Sequence, residues 1–354
     1  FLPHKMSETA SDDDNQEGRA FLTAAQAGNL NAVKHALETN AVDINFRFEP
    51  VAIENSQDSN DHEHVPQSPF DGSTAFILAC SNGHLDLVKY LMDNNADLDA
   101  TDNHDCNGFL TASFHGHLHI VKHLADIFWS DSLTAMYKAI EGNQLAVLKY
   151  FDDKEVLDES LFDYSIMMAG EHGSLDVLDY LVENGADINA TEQDSTGDNV
   201  VILASRNGHL DVVKYLQEEG AELVRNFSDE DILTVAIKHG HTSIVKYLLH
   251  NGAKLSTDYY ELRVSILAAI FNGYNDVLKF ISTIDGTIVE YCAKKAIESY
   301  RCDDNSDVKE MFQKNGIDAT NIHSWVEEHF KTATPQVAPS SMTLRSKKST
   351  RSTI

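Results

Sequence analysis

Short apolar stripes recur along the chain at helical spacing, with polar segments between them. Leu85, Val88 and Leu91 lie three residues apart, which places them on one face of a helix. The same stripe returns in residues 210–216. No proline interrupts residues 70–334, and proline is the residue that most strongly breaks helix interiors. The pattern therefore predicts a long series of short amphipathic helices.

These stripes belong to an internal repeat. Asn82–Leu91 and Asn207–Leu216 differ at a single position, and each carries Asn-Gly-His-Leu before the stripe. We call the residue at the glycine position the anchor, because it falls at the bend between two short helices, where a residue with positive φ is required. The anchors are Gly28, Gly83, Gly116, Asn143, Gly173, Gly208, Gly240 and Gly273.

Two further positions repeat with the anchor. The residue four before each anchor is alanine in all eight copies, and the residue five after it is valine or leucine. A tiny residue lets neighbouring helices approach closely, and an aliphatic one fills the space between layers. Each unit is too small to bury its own core, so the units must stack.

The motifs Asn-Gly-His-Leu-Asp-Val-Val-Lys-Tyr-Leu and Glu183–Ala190 (Glu-Asn-Gly-Ala-Asp-Ile-Asn-Ala) resemble the ankyrin repeat family. The resemblance covers roughly residues 19–286 and implies an all-α solenoid of about eight stacked helix-turn-helix units with hairpin loops. Residues 131–158 depart from it, because Asp152–Glu155 replaces the usual Gly-Ala-Asp turn. We expect irregular stacking there.

Composition divides the rest of the chain. The predicted segments are an acidic disordered N-terminus (1–18), a first repeat (19–46), a polar insertion (47–70), repeats two to eight (71–286), a degenerate repeat with capping helices (287–330) and a basic disordered tail (331–354).

The charge narrows the classes of partner. The chain has 354 residues and a formal net charge of −29, which repels nucleic acid and anionic membranes. No apolar run is long enough to span a membrane, the start lacks an apolar signal-peptide core, and the four cysteines form no CxxC pair. We expect a cytoplasmic monomer without a cofactor that binds a protein of basic or mixed charge.

The resemblance places partner binding on a concave face that contains the two residues before each anchor, here called the rung residues. Phe114 and Phe271 are candidate binding anchors, or else they pack on their neighbours. Arg206 and Lys238 are suited to gripping a carboxylate, or else they pair with nearby acids. The candidate binding residues are Phe114, His115, Glu171, His172, Arg206, Asn207, Lys238, His239, Phe271 and Asn272.

Three further candidate sites, for a metal, a catalytic cysteine and asparagine hydroxylation, each have a structural alternative. His115, His117 and His119 look like metal ligands, but the family resemblance makes the histidine after each anchor a structural hydrogen bonder, and zinc needs about four convergent ligands. Cys106 near His104 is the one exposed Cys/His pairing for a cysteine enzyme, and nearby acids argue against its activation. Asn45 and Asn189 resemble targets of the asparaginyl hydroxylase that modifies ankyrin repeats; the alternative is an ordinary hairpin.

The favoured function is therefore a non-enzymatic protein-binding scaffold. Three rivals stay open: a secreted host-directed effector of an intracellular bacterium, which would act in the host cytosol or nucleus; an adaptor that docks a second protein through Met311, Trp325 and Phe330 in the cap; and a cryptic enzyme using Cys106 and His104.

Overall fold

The computed structural model describes residues 12–48, 70, 72–191, 197–221, 231–255 and 259–302, and the regular secondary structure of these residues is helical apart from one isolated β-bridge. The α-helices are α1 Asp12–Gln26, α2 Leu30–Glu38, α3 Ala75–Ser81, α4 Leu85–Asp93, α5 Gly108–Phe114, α6 Leu118–Leu124, α7 Ser132–Glu141, α8 Leu145–Asp152, α9 Phe162–His172, α10 Leu175–Glu183, α11 Val200–Asn207, α12 Leu210–Glu218, α13 Ile232–Lys238, α14 Thr242–His250, α15 Tyr259–Phe271 and α16 Asn275–Cys302. This is the predicted all-α repeat architecture.

The chain divides into two compact units, Phe1–Asp231 and Ile232–Ile354. In the first unit, the odd-numbered helices α1 to α11 pack side by side in one row, here called the first-helix row. The even-numbered helices α4 to α10 form a second-helix row behind it. The second unit has its own two pairs, in which α13 packs on α15 and α14 packs on α16.

Burial confirms the role of the repeated alanine and aliphatic positions. Seven of the eight alanines are fully buried, and Ala24 in the first described helix is half-buried. All eight aliphatic residues five positions after the anchors are fully buried. They are Val33, Val88, Val121, Leu148, Leu178, Val213, Val245 and Leu278.

The anchors have the predicted backbone geometry. All eight adopt positive φ, from 55° at Asn143 to 87° at Gly208. Asn143 tolerates this conformation, as asparagine does better than most residues, and its side chain adds contacts to the next pair. Its Oδ1 accepts from the backbone N–H of Val177 at 3.2 Å, and its Nδ2 donates to Asp176 at 3.2 Å.

The residue after the anchor makes a recurring hydrogen bond to the preceding pair. His84 precedes α4, where a side chain ordinarily caps its own helix, yet it makes no such bond. Its Nε2 instead donates to the carbonyl of Gln26 in the preceding pair at 2.9 Å. His117 does the same to Ser81, and His209 to Glu171, at 2.9 and 2.8 Å.

These cross-pair bonds require glycine at the anchor for a second reason. A Cβ on Gly28 would lie 2.5 Å from Nδ1 of His84, and one on Gly83 would lie 2.7 Å from Nδ1 of His117. Real Cβ atoms essentially never come so close to another heavy atom. The anchor glycine therefore supplies both the bend and the space for the next histidine ring.

Some predicted boundaries need correction. Helix α1 begins at Asp12, inside the segment 1–18 that the composition predicts to be disordered. Helix α16 runs from Asn275 to Cys302 and therefore crosses the predicted boundary at 286/287, with Gly286 inside the helix. Most of the insertion 47–70, and residues 303–354 with the predicted cap and tail, lie outside the described residues.

Two 3-10 helices border residues 131–158, the segment for which the sequence predicts irregular stacking. Trp129–Asp131 runs directly into α7, and Glu159–Leu161 runs directly into α9. Helices α7 and α9 start eleven residues before their anchors, whereas α3, α5, α11 and α13 start eight before theirs. Helix α7 still packs against both α5 and α9, so the row continues through this region.

We expect Gly83→Ala to destabilise the protein more than Gly220→Ala. Both glycines have positive φ (79° and 89°), so both substitutions cost about 1–2 kcal/mol of backbone strain. A Cβ meets His117 at Gly83 but meets nothing within 4 Å at Gly220. Urea unfolding followed by circular dichroism measures the difference, and equal losses of stability would contradict this role of the glycine.

Candidate functional site

The rung residues combine a backbone role with a variable side chain. In three pairs, the backbone carbonyl two residues before the anchor accepts the cross-pair bond, at Gln26, Ser81 and Glu171. The side chain at this position takes no part in that bond. Its chemistry accordingly differs from pair to pair, in the order Gln26, Ser81, Phe114, Glu141, Glu171, Arg206, Lys238 and Phe271.

Phe114 and His115 form an aromatic pair at the end of α5. Their rings lie 5.0 Å apart between centroids in an edge-to-face arrangement. Phe114 is half-buried and His115 is exposed. The Phe114 ring therefore has both a packing contact and some accessible surface, so neither of its two predicted roles is eliminated.

Glu171 and His172 are both exposed at the end of α9. Arg206 is different, because its guanidinium pairs with the carboxylate of the fully buried Asp198. That partner was not identified from the sequence, although pairing with a nearby acid was one of the two alternatives. The pair gives Arg206 a structural role within the unit.

The asparagines among the rung residues cap their own helices. Nδ2 of Asn207 donates to the carbonyl of Leu203 at 3.1 Å, and Nδ2 of Asn272 donates to that of Ala268 at 2.9 Å. Asn82 makes the same bond to Leu78. The amide oxygens and outer edges are what these side chains offer to a partner.

Lys238 and His239 are half-buried and belong to the second unit, with Asn272. The side chain of Phe271 lies outside the described residues. Phe114, His115, Glu171, His172, Arg206 and Asn207 belong to the first unit. The structure thus divides the predicted binding residues between the two units.

Two histidines of the His115, His117 and His119 cluster make structural hydrogen bonds. Nε2 of His117 donates to the carbonyl of Ser81 at 2.9 Å, and Nε2 of His119 donates to that of Gly83 at 3.1 Å. Within the described part of the chain, no group of three or more His, Cys, Asp or Glu side chains is arranged to hold a metal ion. The Nε2 atoms of His117 and His119 are thus engaged by backbone carbonyls of the preceding pair.

Cys106 is poorly placed for catalysis. It is buried, its Sγ contacts the backbone carbonyl of His104 at 3.4 Å, and burial raises the pKa of its thiol above the ordinary value. The predicted exposure of Cys106 is therefore wrong, because the Asp102–Cys106 loop folds its thiol inward. Cys80 is fully buried, as expected, and burial raises its thiol pKa as well.

Asn45 and Asn189 sit in similar hairpin turns. Their backbone N–H groups bond to the carboxylates of Asp43 and Asp187, at 2.7 and 2.9 Å. Oδ1 of Asn45 also accepts from the backbone N–H of Asp97 at 2.8 Å. This arrangement is that of an ordinary repeat hairpin, and hydroxylation of the two residues stays a prediction.

The comparisons agree with this geometry. The sequence profile described as "Ankyrin repeats (3 copies)" matches residues 21–128, 109–192 and 166–259. These matches span well over half of the chain, so the chain belongs to the ankyrin repeat family. No curated protein shows significant similarity to it.

Ankyrin repeats are generally protein–protein interaction modules, and proteins built from them are typically non-enzymatic binding scaffolds. The described residues contain eight helix pairs, but the profile is matched three times, so a count of eight family repeats stays a prediction. No helix among the described residues is both long and apolar enough to cross a membrane.

Sequence reasoning missed one surface feature. Trp129, Leu133 and Tyr164 are exposed, with 46%, 42% and 51% of their surface accessible. The signal was present, because Trp129, Leu133 and Tyr137 follow each other at four-residue spacing beside the segment that lacks the usual turn. The repeat pattern assigns partner binding to the rung residues and gives no role to these side chains.

We expect His117 to titrate below the ordinary histidine pKa of about 6.5. Burial lowers its pKa most, and the charges of His119 and His84 lower it further, although the bond to Ser81 opposes them. A lowered pKa means that protonation favours the unfolded chain. The stabilisation by His117 is therefore complete above pH 6.5 and decreases as the pH falls below it.

Proton NMR of the ring resonances measures this pKa, with His117→Gln to assign them. Urea unfolding at pH 7.5 and 5.5 should show a larger loss of stability on acidification in the wild type than in the variant. A His117 midpoint at or above 6.5 would show that burial does not control the titration of this ring.

Proposed function

We propose that this chain is a non-enzymatic scaffold that binds a partner protein through the rung residues of its first-helix row. The observation that carries the proposal is the separation of backbone and side-chain roles two residues before the anchor, at Gln26, Ser81 and Glu171. The backbone carbonyl there accepts the bond from the next pair, and the side chain does not contribute to that bond. Side-chain chemistry can change at these positions without loss of the link between pairs.

Charge defines the partner that suits such a surface. The chain carries 56 acidic residues against 27 lysines and arginines. Complementary charge speeds association and suppresses wrong partners, so we propose a partner of basic or mixed charge. Because salt screens exposed charges beyond about 8 Å at physiological ionic strength, binding should weaken as salt is added.

The cap adaptor and the effector remain alternatives without an observation in their favour. Met311, Trp325 and Phe330, on which the adaptor depends, lie outside the described residues. The cysteine enzyme is disfavoured by the buried thiol of Cys106, whose pKa burial raises. A thiolate nucleophile needs the opposite shift.

An affinity pull-down from cell lysate at low and moderate salt tests the proposal. The rung variant is Phe114→Ala/Glu171→Ala/His172→Ala, which changes accessible side chains and leaves every cross-pair carbonyl in place. We expect it to lose a stoichiometric partner that the wild type retains, and we expect moderate salt to weaken wild-type capture.

The matched control is Lys89→Ala/His123→Ala, which changes two exposed residues of the second-helix row. It should capture the partner as the wild type does. Circular dichroism and urea midpoints establish that all three proteins are folded. A partner that the folded rung variant retains would overturn the proposed surface.

A further inference from the structure

The first-helix row exposes apolar surface where the 3-10 helices lie. In the four pairs whose first helix starts eight residues before its anchor, the residues six and five before the anchor are buried, as at Ile77 and Leu78, or Ile202 and Leu203. In α7 and α9, the same positions are half-buried, and they hold Tyr137, Lys138, Met167 and Met168. The two pairs with the early-starting helices thus leave part of the row uncovered.

Large side chains occupy this opening. Leu133 and Tyr137 lie four residues apart on α7 and therefore share one face of that helix. The exposed Trp129 opens the 3-10 helix that runs directly into α7. Tyr164 of α9 extends the stripe, since its ring lies 5.0 Å from that of Tyr137, edge to face. We call Trp129, Leu133, Tyr137 and Tyr164 the aromatic stripe.

The stripe stands out in the first unit. Among its described residues, the exposed large hydrophobic side chains are Ile127, Trp129, Leu133 and Tyr164, and these all fall within one short stretch of sequence. Single exposed apolar residues are common, but a contiguous group of them marks an interaction site. Tyrosine and tryptophan are also the residues that dominate binding energy at protein interfaces.

The surrounding charge is negative. Residues 126–164 contain nine acidic residues and three lysines. Asp158 lies close enough to Tyr137 to act on it electrostatically, and Asp163 is exposed beside Tyr164. The nearest lysine, Lys138, is engaged by Glu141 at 2.7 Å. An incoming cation would therefore meet carboxylates and aromatic faces, both of which attract it.

We propose that the aromatic stripe binds a protein segment that carries arginine or lysine next to a large apolar side chain. The apolar side chain covers Leu133 and Trp129, while the cation lies against Tyr137 or Tyr164 and the acids at the edge. The proposal rests on the proposed function and specifies the part of the first-helix row that recognises the partner.

Selection from a phage-displayed library of random peptides of about twelve residues tests this on the full chain. We expect the enriched peptides to combine net positive charge with tryptophan, phenylalanine or leucine. The stripe variant Leu133→Ser/Tyr164→Ser changes two exposed side chains, so the fold should survive. It should lower the affinity for a synthesised enriched peptide by at least about tenfold, which is the loss typical of removing interface hot spots.

Two further variants serve as controls. Ile284→Ser/Tyr291→Ser removes an equivalent exposed aliphatic and aromatic residue from α16 of the second unit, and it should bind like the wild type. Glu159→Gln/Asp163→Asn should weaken the peptide by a few-fold and reduce the salt dependence. A matched removal of two carboxylates at the C-terminal end of α12, Glu218→Gln/Glu219→Gln, should do neither.

The fluorescence of Trp129 gives an independent readout, since Trp325 is the one other tryptophan and Trp325→Phe removes it. The enriched peptide should shift the emission to shorter wavelength. A tail variant replaces the four basic residues with glutamine, at Arg345, Lys347, Lys348 and Arg351. If this variant shifts the Trp129 emission in the absence of peptide, the chain's own tail is the occupant, and the proposal is overturned. A dimer in solution that the stripe variant abolishes would also overturn it.

Different results would refute this inference and the proposed function. If the stripe variant and the wild type bind the same peptides equally, or if the enriched peptides are acidic, the inference is wrong. The proposed function would still be supported if the rung variant loses the partner in the pull-down. Loss of both results would refute both.

Discussion

The fold depends on one interaction that recurs in several pairs: the residue after the anchor leaves its own helix uncapped and bonds to a backbone carbonyl of the pair before it. An N-cap side chain ordinarily satisfies a free N–H at the start of its helix. His84, His117 and His209 bond instead to a carbonyl of the preceding pair. In the first described pair, Asn29 keeps the ordinary cap, to the N–H of Ala32 at 3.1 Å. The solenoid is thus held by links that a single helix pair cannot make.

This constraint explains why the surface can be specialised. The link uses a backbone carbonyl, a histidine or its substitute, and a glycine that leaves room for the ring. Ser174 can replace the histidine and reach the carbonyl of Ile140 at 2.5 Å, and Asn143 can replace the glycine. Side chains on the first-helix row are not needed for the link. They are the positions at which a repeat protein can acquire a partner without losing its stack.

Much of the fold could be predicted from the sequence because the repeat is a periodic physical requirement. Positive φ, a small residue at close helix contacts and an aliphatic core residue recur wherever the pattern does, and all three predictions are confirmed. The ends could not be predicted as well, because Asp12–Gly18 and residues 287–302 extend helices whose boundaries no repeat motif marks. The site was predicted less completely. Sequence spacing located the rung residues, but the ion pair of Arg206 with Asp198 and the exposure of Trp129 and Tyr164 depend on local side-chain placement that no repeated position marks.

Hydrogen–deuterium exchange of the full chain, with and without a bound partner protein or selected peptide, tests binding through the first-helix row most directly. We predict that bound ligand slows exchange in residues 129–141 and 162–172, at the uncovered part of that row. Exchange in α8 and α10 of the second-helix row should stay unchanged. Protection that is confined to the second-helix row, or to residues 303–354, would contradict binding through the first-helix row.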